Sequence, residues 1–562
     1  MKILIVLMRY NKIGYTYDPD SKDRHLNYLL PLGLAYISAV LKKAGKDVTC
    51  LNINHRDGLV RDIIRDELAS SKYDVIFLGG LSLFYPHIRD IIHYIREFSN
   101  IKIVVGGGIM TSQPEIMFNL LQPDFGIIGE GEITALELVN YLENGGDVNN
   151  INGLVHSIKD GYSRVTVINK PREQIKDLDA LPYPDYESFG YSEYLDHIKP
   201  TDYIAYDVVD KPRYYPLLAG RSCPFGCTFC FHPLGNKYVQ RSVNNIMDEI
   251  KQNVEKYNIN IIFIYDELFS HDKDRMIDFC AKFKAYSDTL PYKLWFYCNN
   301  RVDSTTDEML KIMKSSGAYL LSFGLESYSQ IVLDSMKKHT TPERINKIVH
   351  LMRDNELGLQ GSFIFGDVAE TMETARETLD FLKENRKLIG TGVATTFIIP
   401  FQGTPIYKQC VREGKIKDEI QFIKDREVAG YNFLDPMNMT KLSDADFGKL
   451  KDEVYVEHLT AGAYATSITE WIDSKGDTYI KVKCPYCGKP SQIMNVPTPS
   501  GELTRNIGCR HCFYRFNLVS KLYPFGNLLT KIIGFRRIYW LNNIRHSIIR
   551  RIVRLYGKFR DN

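Results

Sequence analysis

Several features that would assign the chain to a special class are missing from its 562 residues. No stretch approaches the roughly 18 apolar residues that a membrane-crossing helix needs. Met1-Lys2 leads into ILIVL and then polar residues, too short an apolar segment for a secretory signal peptide. No G-x-G-x-x-G follows the first predicted strand, so a dinucleotide site is not indicated. With 44% hydrophobic and 25% charged residues, we expect a cytoplasmic globular protein of about three domains.

A large excess of one charge is also missing, since the net charge is only +3. From Lys521 to the end, however, there are ten Lys or Arg and one acid, so this stretch contributes +9 and the remainder −6. The main body therefore offers no basic field for nucleic acid, which makes nucleic acid an improbable partner.

Cysteine, in contrast, is plentiful. Eleven cysteines without a secretion signal argue against disulfides and for metal ligation in a reducing compartment. Seven of the eleven form two spaced clusters, and these are the most informative feature of the sequence. Cys50, Cys280, Cys298 and Cys410 remain, and we predict that they are buried thiols.

The first cluster, Cys223, Cys227 and Cys230, lies in AGRSCPFGCTFCFHP, between a predicted strand (YYPLLAG) and a predicted helix (SVNNIMDEIKQNVEKY). Three thiolates spaced C-x3-C-x2-C can occupy three corners of a cubane cluster and leave one iron open. The alternatives are buried free thiols or a zinc site with His232 as fourth ligand, although zinc motifs usually contain paired C-x2-C knuckles.

This segment resembles the radical S-adenosylmethionine superfamily, and the resemblance covers residues from about 215 to 410. In that family the three cysteines bind a [4Fe–4S] cluster, and S-adenosylmethionine chelates the fourth iron. The resemblance therefore implies that Cys223, Cys227 and Cys230 are the catalytic cluster ligands, with Phe229 beside the cofactor. Alternating strands and helices over this span predict a (β/α) barrel, partial or complete.

Later strand ends would complete the S-adenosylmethionine site, because carboxyl ends of barrel strands face the mouth. The resemblance assigns the ends of IIFIYDELF and AYLLSFGLESYS to the substrate amino group and the ribose, and GSFIFGDVAET to the adenine. The last segment departs from the commoner Gly-Leu-Pro-Gly-Glu-Thr, and FIIPFQGTPIY resembles the family's last-strand segment. Ordinary polar strand ends are the alternative for each segment alone. The predicted contacts are Phe229, Asp266, Glu267, Arg301, Glu326, Ser327, Gly361, Ile364 and Gly366.

Residues 1–165 alternate strands and helices and predict an α/β fold with a doubly wound, Rossmann-like parallel sheet, which binds ligands beyond its carboxyl ends. This part resembles the cobalamin-binding domain of one large radical S-adenosylmethionine subfamily. Gly108-Ile109-Met110 replaces a common histidine, and no Asp-x-His-x-x-Gly motif supplies a cobalt ligand; we interpret His55 to Gly58 as a coincidental match. The alternative is a flavodoxin-like scaffold. The predicted cobalamin contacts are Pro31, Leu32, Gly33, Gly80, Ser82, Gly107, Gly108, Gly129, Glu130 and Gly131.

The resemblance implies a reaction of the methylase type. A reduced cluster cleaves S-adenosylmethionine to a 5′-deoxyadenosyl radical, the radical abstracts hydrogen from an unactivated carbon, and methylcobalamin delivers a methyl group. Ring-forming oxidation, as in tetrapyrrole cyclases of the subfamily, is the enzymatic alternative. Methylthiotransferases are disfavoured because residues 1–165 contain only Cys50. Expected partners are a small-molecule or lipid substrate and an electron donor such as ferredoxin or flavodoxin.

The second cluster is KVKCPYCGKP with IGCRHCF, which gives Cys484, Cys487, Cys509 and Cys512. Two C-x2-C knuckles predict a zinc ribbon with four thiolates around one structural ion. An auxiliary iron–sulfur cluster is the alternative.

The predicted domain order is a cobalamin-binding-like domain (1–165), a Pro-rich surface linker (166–214), the barrel (215–410), a helical cap (411–475), the zinc ribbon (476–515) and a basic amphipathic tail (516–562).

The tail predicts contact with the inner face of a membrane, docking on the negatively charged body, or, as a third choice, nucleic acid. The rival from another class is a non-catalytic zinc-ribbon module that binds nucleic acid or membrane.

Overall fold

The computed structural model describes residues 1–10, 19–24, 26, 28, 30–160, 163–200, 202–203, 205–429, 436–460, 463–474, 477–494 and 504–519. The basic tail beyond Val519 therefore lies outside the described residues. Among the described residues, no helix has the length and apolar character required to cross a membrane.

A seven-stranded sheet forms the N-terminal part, in the order β2-β1-β3-β4-β5-β6-β7. The first five strands are parallel, and β6 and β7 extend the sheet antiparallel. This order confirms the predicted doubly wound fold, whose ligands bind at the carboxyl edge of the strands. The strands are β1 (Lys2–Leu7), β2 (Asp47–Asn52), β3 (Val75–Gly79), β4 (Lys102–Gly106), β5 (Phe125–Ile127), β6 (Leu154–Asp160) and β7 (Ser163–Ile168).

Six helices flank this sheet, and their apolar stripes explain their positions. Ile88, Ile91, Ile92 and Ile95 recur at helical spacing in the third helix, and all four are buried. The helices are α1 (Leu32–Lys43), α2 (Val60–Ser70), α3 (Tyr85–Phe98), α4 (Gly108–Ser112), α5 (Pro114–Leu121) and α6 (Glu132–Asn144).

The segment predicted as a surface linker is instead part of the core. It contains helix α7 (Tyr191–His197), and Tyr186, Tyr191 and Tyr194 are all less than 4% exposed. The phenol of Tyr186 donates to Pro216 O at 3.1 Å, and the phenol of Tyr194 donates to that of Tyr214 at 3.1 Å. Tyrosine can be buried here because each ring packs against other rings while its hydroxyl finds a partner.

The second sheet has six strands, all parallel, in the order β15-β14-β13-β12-β11-β8. Sequential parallel strands joined by helices make a barrel wall, and the two end strands do not pair with each other, so the barrel is partial. The strands are β8 (Tyr214–Leu217), β9 (Gly220–Arg221), β10 (Val239–Gln240), β11 (Ile261–Ile264), β12 (Trp295–Asn300), β13 (Ala318–Glu326), β14 (Gly358–Phe365) and β15 (Val393–Phe397), of which β9 and β10 form a separate short pair.

The barrel helices begin at side-chain caps in several cases. Ser242, Asp272, Thr306, Thr341, Thr371 and Thr404 each accept a backbone N–H three residues later. The helices are α8 (Val243–Tyr257), α9 (Lys273–Ser287), α10 (Asp307–Ser316), α11 (Gln330–Ser335), α12 (Pro342–Asp354), α13 (Met372–Glu384), α14 (Arg386–Ile389) and α15 (Pro405–Arg412).

The C-terminal part differs from the predicted helical cap at 411–475. Two helices are present, α16 (Glu419–Ala429) and α17 (Asp444–Thr460), but strands follow from Tyr464 onward. Sequence periodicity missed the first two, which lie inside the predicted cap, because they are short, whereas the later strands begin within the predicted ribbon. The strands are β16 (Tyr464–Ala465), β17 (Ser467–Ile472), β18 (Thr478–Lys483), β19 (Pro490–Met494), β20 (Thr504–Gly508) and β21 (Arg515–Val519).

The ribbon is docked on the amino-terminal end of the barrel. The ring of Phe513 lies 5.4 Å from Trp295 and 6.0 Å from Tyr319, near the first residues of β12 and β13. Arg515 forms a buried ion pair with Asp207 at 2.7 Å. The ribbon thus closes the base of the barrel and leaves the opposite, carboxyl end for the cysteine loop.

Candidate functional site

The loop with Cys223, Cys227 and Cys230 leaves the carboxyl end of β8 and is fixed on both sides by backbone hydrogen bonds. Thr228 N donates to Met336 O at 3.0 Å, and Ile406 N donates to Thr228 O at 2.9 Å. Cys227 is 5% exposed, and the other two cysteines are partly exposed. Burial raises the pKa of the Cys223 thiol, and raises that of Cys230 to about 12.

Arg301 supports this loop from beneath. Its Nη1 lies 3.9 Å from Cys227 Sγ, and its Nη2 donates to Lys338 O. The guanidinium also lies over the Phe225 ring, 3.6 Å from its centroid. A guanidinium that donates toward a thiolate stabilises its negative charge, so Arg301 suits a site that holds a cluster. The predicted role as an S-adenosylmethionine contact stays a prediction.

The two acids just after β11 lie in different environments. Asp266 is fully buried, and its Oδ1 accepts from Ala219 N at 2.6 Å; burial raises its pKa to about 6. Glu267 is 44% exposed, and its Oε2 lies 3.8 Å from Nδ1 of His232 in the cysteine loop. Of the predicted pair, Glu267 is therefore available at the mouth, and Asp266 positions the strand before the loop.

Glu326 and Lys338 form a buried ion pair beside the loop. Lys338 Nζ donates to Glu326 Oε1 at 2.6 Å, and both side chains are less than 10% exposed. Lys338 also lies 6.0 Å from the Phe229 ring. Gly324 lies directly beneath the pair, and a Cβ there would collide with both groups. Sequence analysis missed Lys338, which lies far from any recognisable motif.

Ser327 and Gly361, two of the predicted S-adenosylmethionine contacts, make contacts within the protein, and their role toward the cofactor stays a prediction. Ser327 is 1% exposed, and its Oγ lies 3.2 Å from Thr378 Oγ1 of α13. Gly361 is required because a Cβ there would collide with Phe323 O of the neighbouring strand. Ile364 is partly buried and packs in the same apolar cluster as Phe229, at the mouth.

The turn after β14 contains two buried acids. Gly366 has φ +93°, and its N–H donates to Glu370 Oε2. Asp367 is fully buried and accepts from Ser335 Oγ at 2.5 Å. Burial raises the pKa of Asp367, and burial with the nearby Asp367 charge raises that of Glu370 to about 8.

Glu370 makes a pH-dependent contribution to stability that can be measured. Its carboxyl keeps a proton in the folded state up to about pH 8, whereas the unfolded chain releases it near pH 4.5, so stability falls as pH rises between these values. Glu370→Gln keeps the acceptor for Gly366 and should melt at a higher temperature than the wild type at pH 9, with little difference near pH 5. Glu373→Gln, on the exposed surface of α13, is the control. Parallel melting curves across this pH range would contradict the assignment.

The glycine-rich loops of the first sheet all lie at its carboxyl edge. Pro31, Leu32 and Gly33 begin α1, Gly80 and Ser82 follow β3, Gly107 and Gly108 follow β4, and Gly129, Glu130 and Gly131 follow β5. Gly107 has φ +84°, and a Cβ there would lie 2.9 Å from Gly80 O, so the two loops touch by their backbones. A Cβ at Gly33 or Gly129 would meet nothing within 4 Å. The backbone at these two positions is therefore open to a ligand.

Two contacts bring this edge against the cysteine loop. The ring of Phe231, the residue after Cys230, packs between Gly108 and Gly403, where a Cβ would lie 3.2 and 2.6 Å from it. Arg221, two residues before Cys223, donates to Glu130 and Glu132 at 2.6 Å each, and all three side chains are at most 7% exposed. Glu130, predicted to contact cobalamin, thus directs its carboxylate to Arg221.

His55 follows β2, and both of its ring nitrogens have partners within the protein. Its Nδ1 lies 2.9 Å from Glu193 Oε2 and its Nε2 lies 2.8 Å from the phenol of Tyr28. Burial lowers its pKa. The interpretation of the His55–Gly58 spacing as coincidence stays a prediction.

Inside the barrel, three neutral side chains lie in one row. Asn299, Ser322 and Gln360 are register partners on β12, β13 and β14, and each is partly exposed although helices cover the outer face of these strands. They must therefore face the lumen. Gln360 Oε1 is buried without a hydrogen-bond partner. Sequence analysis did not identify this row, because single polar residues in a buried strand give no motif.

The four ribbon cysteines are brought together, with all four sulfurs within 4.8 Å of one another. The Sγ atoms of Cys484 and Cys512 are 3.8 Å apart, and those of Cys487 and Cys509 are 3.6 Å apart. A tetrahedral ion with 2.3 Å metal–sulfur bonds has an edge of about 3.8 Å. The spacing fits one zinc ion, since a cubane separates its ligand sulfurs by the width of the cluster. Cys223, Cys227 and Cys230 do not form such a tight group.

The other cysteines behave largely as predicted. Cys280, Cys298 and Cys410 are buried, whereas Cys50 is only half-buried and lies 3.5 Å from Ser38 Oγ. Cys50 differs because β2 is the edge strand of the first sheet, so no further strand covers it.

Comparison with known families gives two matches. Residues 217–382 match the radical SAM superfamily. Residues 25–139 match the B12 binding domain. The first range contains the cysteine loop and β11 to β14, and the second contains the glycine-rich carboxyl edge of the first sheet.

Individual relatives align with about three quarters of the chain. An uncharacterised methyltransferase of Pyrococcus horikoshii is 27% identical over 437 residues, which cover 76% of this chain and 87% of the relative. The anaerobic magnesium-protoporphyrin IX monomethyl ester cyclase of Rubrivivax gelatinosus is 25% identical over 433 residues, covering 75% and 72%. Among solved structures, the radical S-adenosylmethionine methyltransferase TsrM of Kitasatospora setae, with cobalamin and a [4Fe–4S] cluster bound, has a TM-score of 0.57 at 18% identity, covering 73% of this chain and 76% of TsrM. At that identity the similarity to TsrM shows a shared fold.

Proposed function

We propose that this chain, which belongs to the radical S-adenosylmethionine superfamily and contains a B12-binding domain, methylates an unactivated carbon of a small molecule or lipid. The family match makes it an enzyme that uses a [4Fe–4S] cluster, S-adenosylmethionine and cobalamin. The transfer of a methyl group is supported by the methyltransferase relative and by the arrangement of the two sites.

One observation carries the proposal: the cysteine loop faces the glycine-rich edge of the first sheet. Phe231 packs on Gly108, and Arg221 is held by Glu130 and Glu132. Cofactors bound at these two places would meet across one interface, above the barrel lumen. A cobalamin-binding domain that only supported the barrel as a scaffold would not need its ligand edge turned toward the cysteines.

The protein contributes binding and orientation, while the bound groups supply reductive cleavage of S-adenosylmethionine and a transferable methyl group. We assign the cluster to Cys223, Cys227 and Cys230, and the cobalamin to the loops at Gly33, Gly80, Gly107 and Gly129. Glu267 would accept a hydrogen bond from the amino group of S-adenosylmethionine at the mouth. Phe229 and Ile364 would exclude water from its apolar side.

The lumen indicates which part of a substrate enters it. Asn299, Ser322 and Gln360 are neutral; Asn299 is bonded to Tyr297 and Asp266, whereas Gln360 Oε1 has no partner. The charged groups beside them, Glu326 and Lys338, neutralise each other. A charged substrate group buried here would lack a counter-ion, which is costly. The reacting portion is therefore expected to be uncharged and rich in hydroxyl or amide groups.

Oxidative ring formation is the second candidate, favoured by the 25% identical cyclase. Both reactions begin with the same radical, and they differ in whether label from [methyl-¹⁴C]S-adenosylmethionine enters the product. The residues of the lumen do not distinguish them.

The test begins with metal analysis after anaerobic reconstitution with iron, sulfide and hydroxocobalamin. The proposal expects about four iron and one cobalt per chain, and one zinc in the ribbon. With a chemical reductant, the protein should form 5′-deoxyadenosine from S-adenosylmethionine. Iron without cobalt would remove the methylation proposal and leave a radical enzyme. Zinc alone would favour the non-catalytic binding module.

The location of the protein is a separate proposal. We expect it in the cytoplasm, with the basic amphipathic segment around Arg545 to Phe559 at the inner face of the membrane. The chain should sediment with vesicles of anionic lipid at low salt, and a chain truncated after Val519 should not. Equal sedimentation of both chains would contradict this proposal.

A further inference from the structure

The reaction proposed above requires a one-electron reductant, and the structure offers one surface next to the cysteine loop at which such a reductant can dock. The loop is sandwiched between the end of α11 and the start of α15, through the hydrogen bonds of Thr228 to Met336 and Ile406. Cys227 Sγ lies 3.8 Å from the carbonyl oxygen of Lys337, whose side chain is exposed. A single layer of backbone therefore separates Cys227 from solvent on this side.

The opposite side of the loop is covered. Phe231 packs against Gly108 of the first sheet, and Arg221 is buried against Glu130 and Glu132. A protein partner cannot approach Cys230 from there without separating the two domains. The short route to the cysteines lies through α11 and α15.

The outer surfaces of residues 330–339 and 405–415 form one continuous face, which we call the α11–α15 face. The two helices share an apolar cluster that includes Val332, Met336, Ile406 and Cys410. The outside of this face carries four exposed cations and two exposed acids, so its net charge is positive. The cations are Lys337, Lys408, Arg412 and Lys415, and the acids are Asp334 and Glu413. The same face carries Ile331, which is 61% exposed, the second largest exposure among the large apolar side chains described.

We propose that the α11–α15 face is the docking site of an acidic one-electron carrier protein of the flavodoxin or ferredoxin class. This inference rests on the radical function proposed above. One electron leaves the reduced carrier and enters the oxidised cluster, so the carrier is oxidised by one electron, the cluster is reduced by one, and no atom moves. Complementary charge steers such encounters, and electron-transfer interfaces are small, so four cations around one apolar contact suffice.

The test compares two reductants on one variant, Ile331→Asp/Lys408→Glu/Arg412→Glu. None of these side chains touches the cysteines. With a reduced bacterial flavodoxin as donor, formation of 5′-deoxyadenosine should fall at least about tenfold relative to the wild type, because steering is lost and the apolar contact becomes charged. With titanium(III) citrate as donor, the rate should stay within about twofold, because a small reductant needs no docking face.

Lys72→Glu/Lys251→Glu is the matched control, since both lysines are exposed and lie away from α11 and α15. It should behave as the wild type with both donors. Binding of oxidised flavodoxin to the cluster-free chain, measured by biolayer interferometry, should weaken with salt for the wild type and be nearly absent for the triple variant.

Equal losses with both reductants, or wild-type rates and binding for the triple variant, would overturn the docking site. A wild-type protein that forms no 5′-deoxyadenosine even with titanium(III) citrate would instead overturn the radical function. The binding measurement would still decide whether this face recognises the carrier.

Discussion

Alanine at Cys223, Cys227 or Cys230 is expected to abolish formation of 5′-deoxyadenosine, with each single variant as inactive as the triple variant. A cubane held by three cysteines loses a corner ligand when one is removed, and the two remaining thiolates cannot retain it under turnover. Iron per chain should fall from about four toward zero after desalting. The measurement is iron content together with 5′-deoxyadenosine formed under titanium(III) citrate.

Cys50→Ser is the control, because Cys50 is half-buried in the edge strand β2 and far from the loop. It should retain iron and activity. Zinc content provides an internal reference, since the loop variants should keep the zinc held by Cys484, Cys487, Cys509 and Cys512. A loop variant that retained both four iron and turnover would place the cluster elsewhere.

Motifs made these cysteines predictable, because ligand spacing within one loop is a local property of the sequence. The same holds for the strands of both sheets, whose apolar runs and glycine-rich ends gave the doubly wound fold and the barrel. The four ribbon cysteines were found for the same reason, although β16 and β17, which extend the small sheets around them, were not.

Contacts between distant segments were not predictable. Asp266 and Glu267 are adjacent residues just after β11, and only the folded path of the chain there decides that Asp266 is buried against Ala219 while Glu267 reaches the mouth. Lys338 is paired with Glu326 by the path of the turn after α11, whereas Ser327, which precedes α11, lies against Thr378 of α13. The buried tyrosines of the supposed linker could not be identified either, because tyrosine suits both a wet surface and a core with available acceptors.

The contacts of Arg221 also join segments that are distant in the sequence, and we expect their loss to have a large effect on stability. Its guanidinium bridges Glu130 and Glu132 with both nitrogens, and Glu130 Oε2 also accepts from Ile175 N at 2.5 Å. Arg221→Met would leave two buried carboxylates without a cation, which costs on the order of 3–5 kcal/mol. The apparent melting temperature should fall sharply. Arg221→Lys should recover only part of the loss, because an ammonium cannot reach both acids as a planar fork does.

A structural role and a positioning role of Arg221 can be separated by the triple variant Arg221→Met/Glu130→Gln/Glu132→Gln. Removing all three charges together should restore most of the melting temperature, because no unpaired ion stays buried, and the amide oxygen introduced by Glu130→Gln can still accept from Ile175 N. If Arg221 also sets the distance between the cysteine loop and the glycine-rich edge, the stable triple variant should still show a broader distribution of distances between cob(II)alamin and the reduced cluster in pulsed electron paramagnetic resonance. A wild-type distribution in that variant would limit Arg221 to stability. A broadened distribution would mean that Glu130 and Glu132 also position the cysteine loop, by holding Arg221.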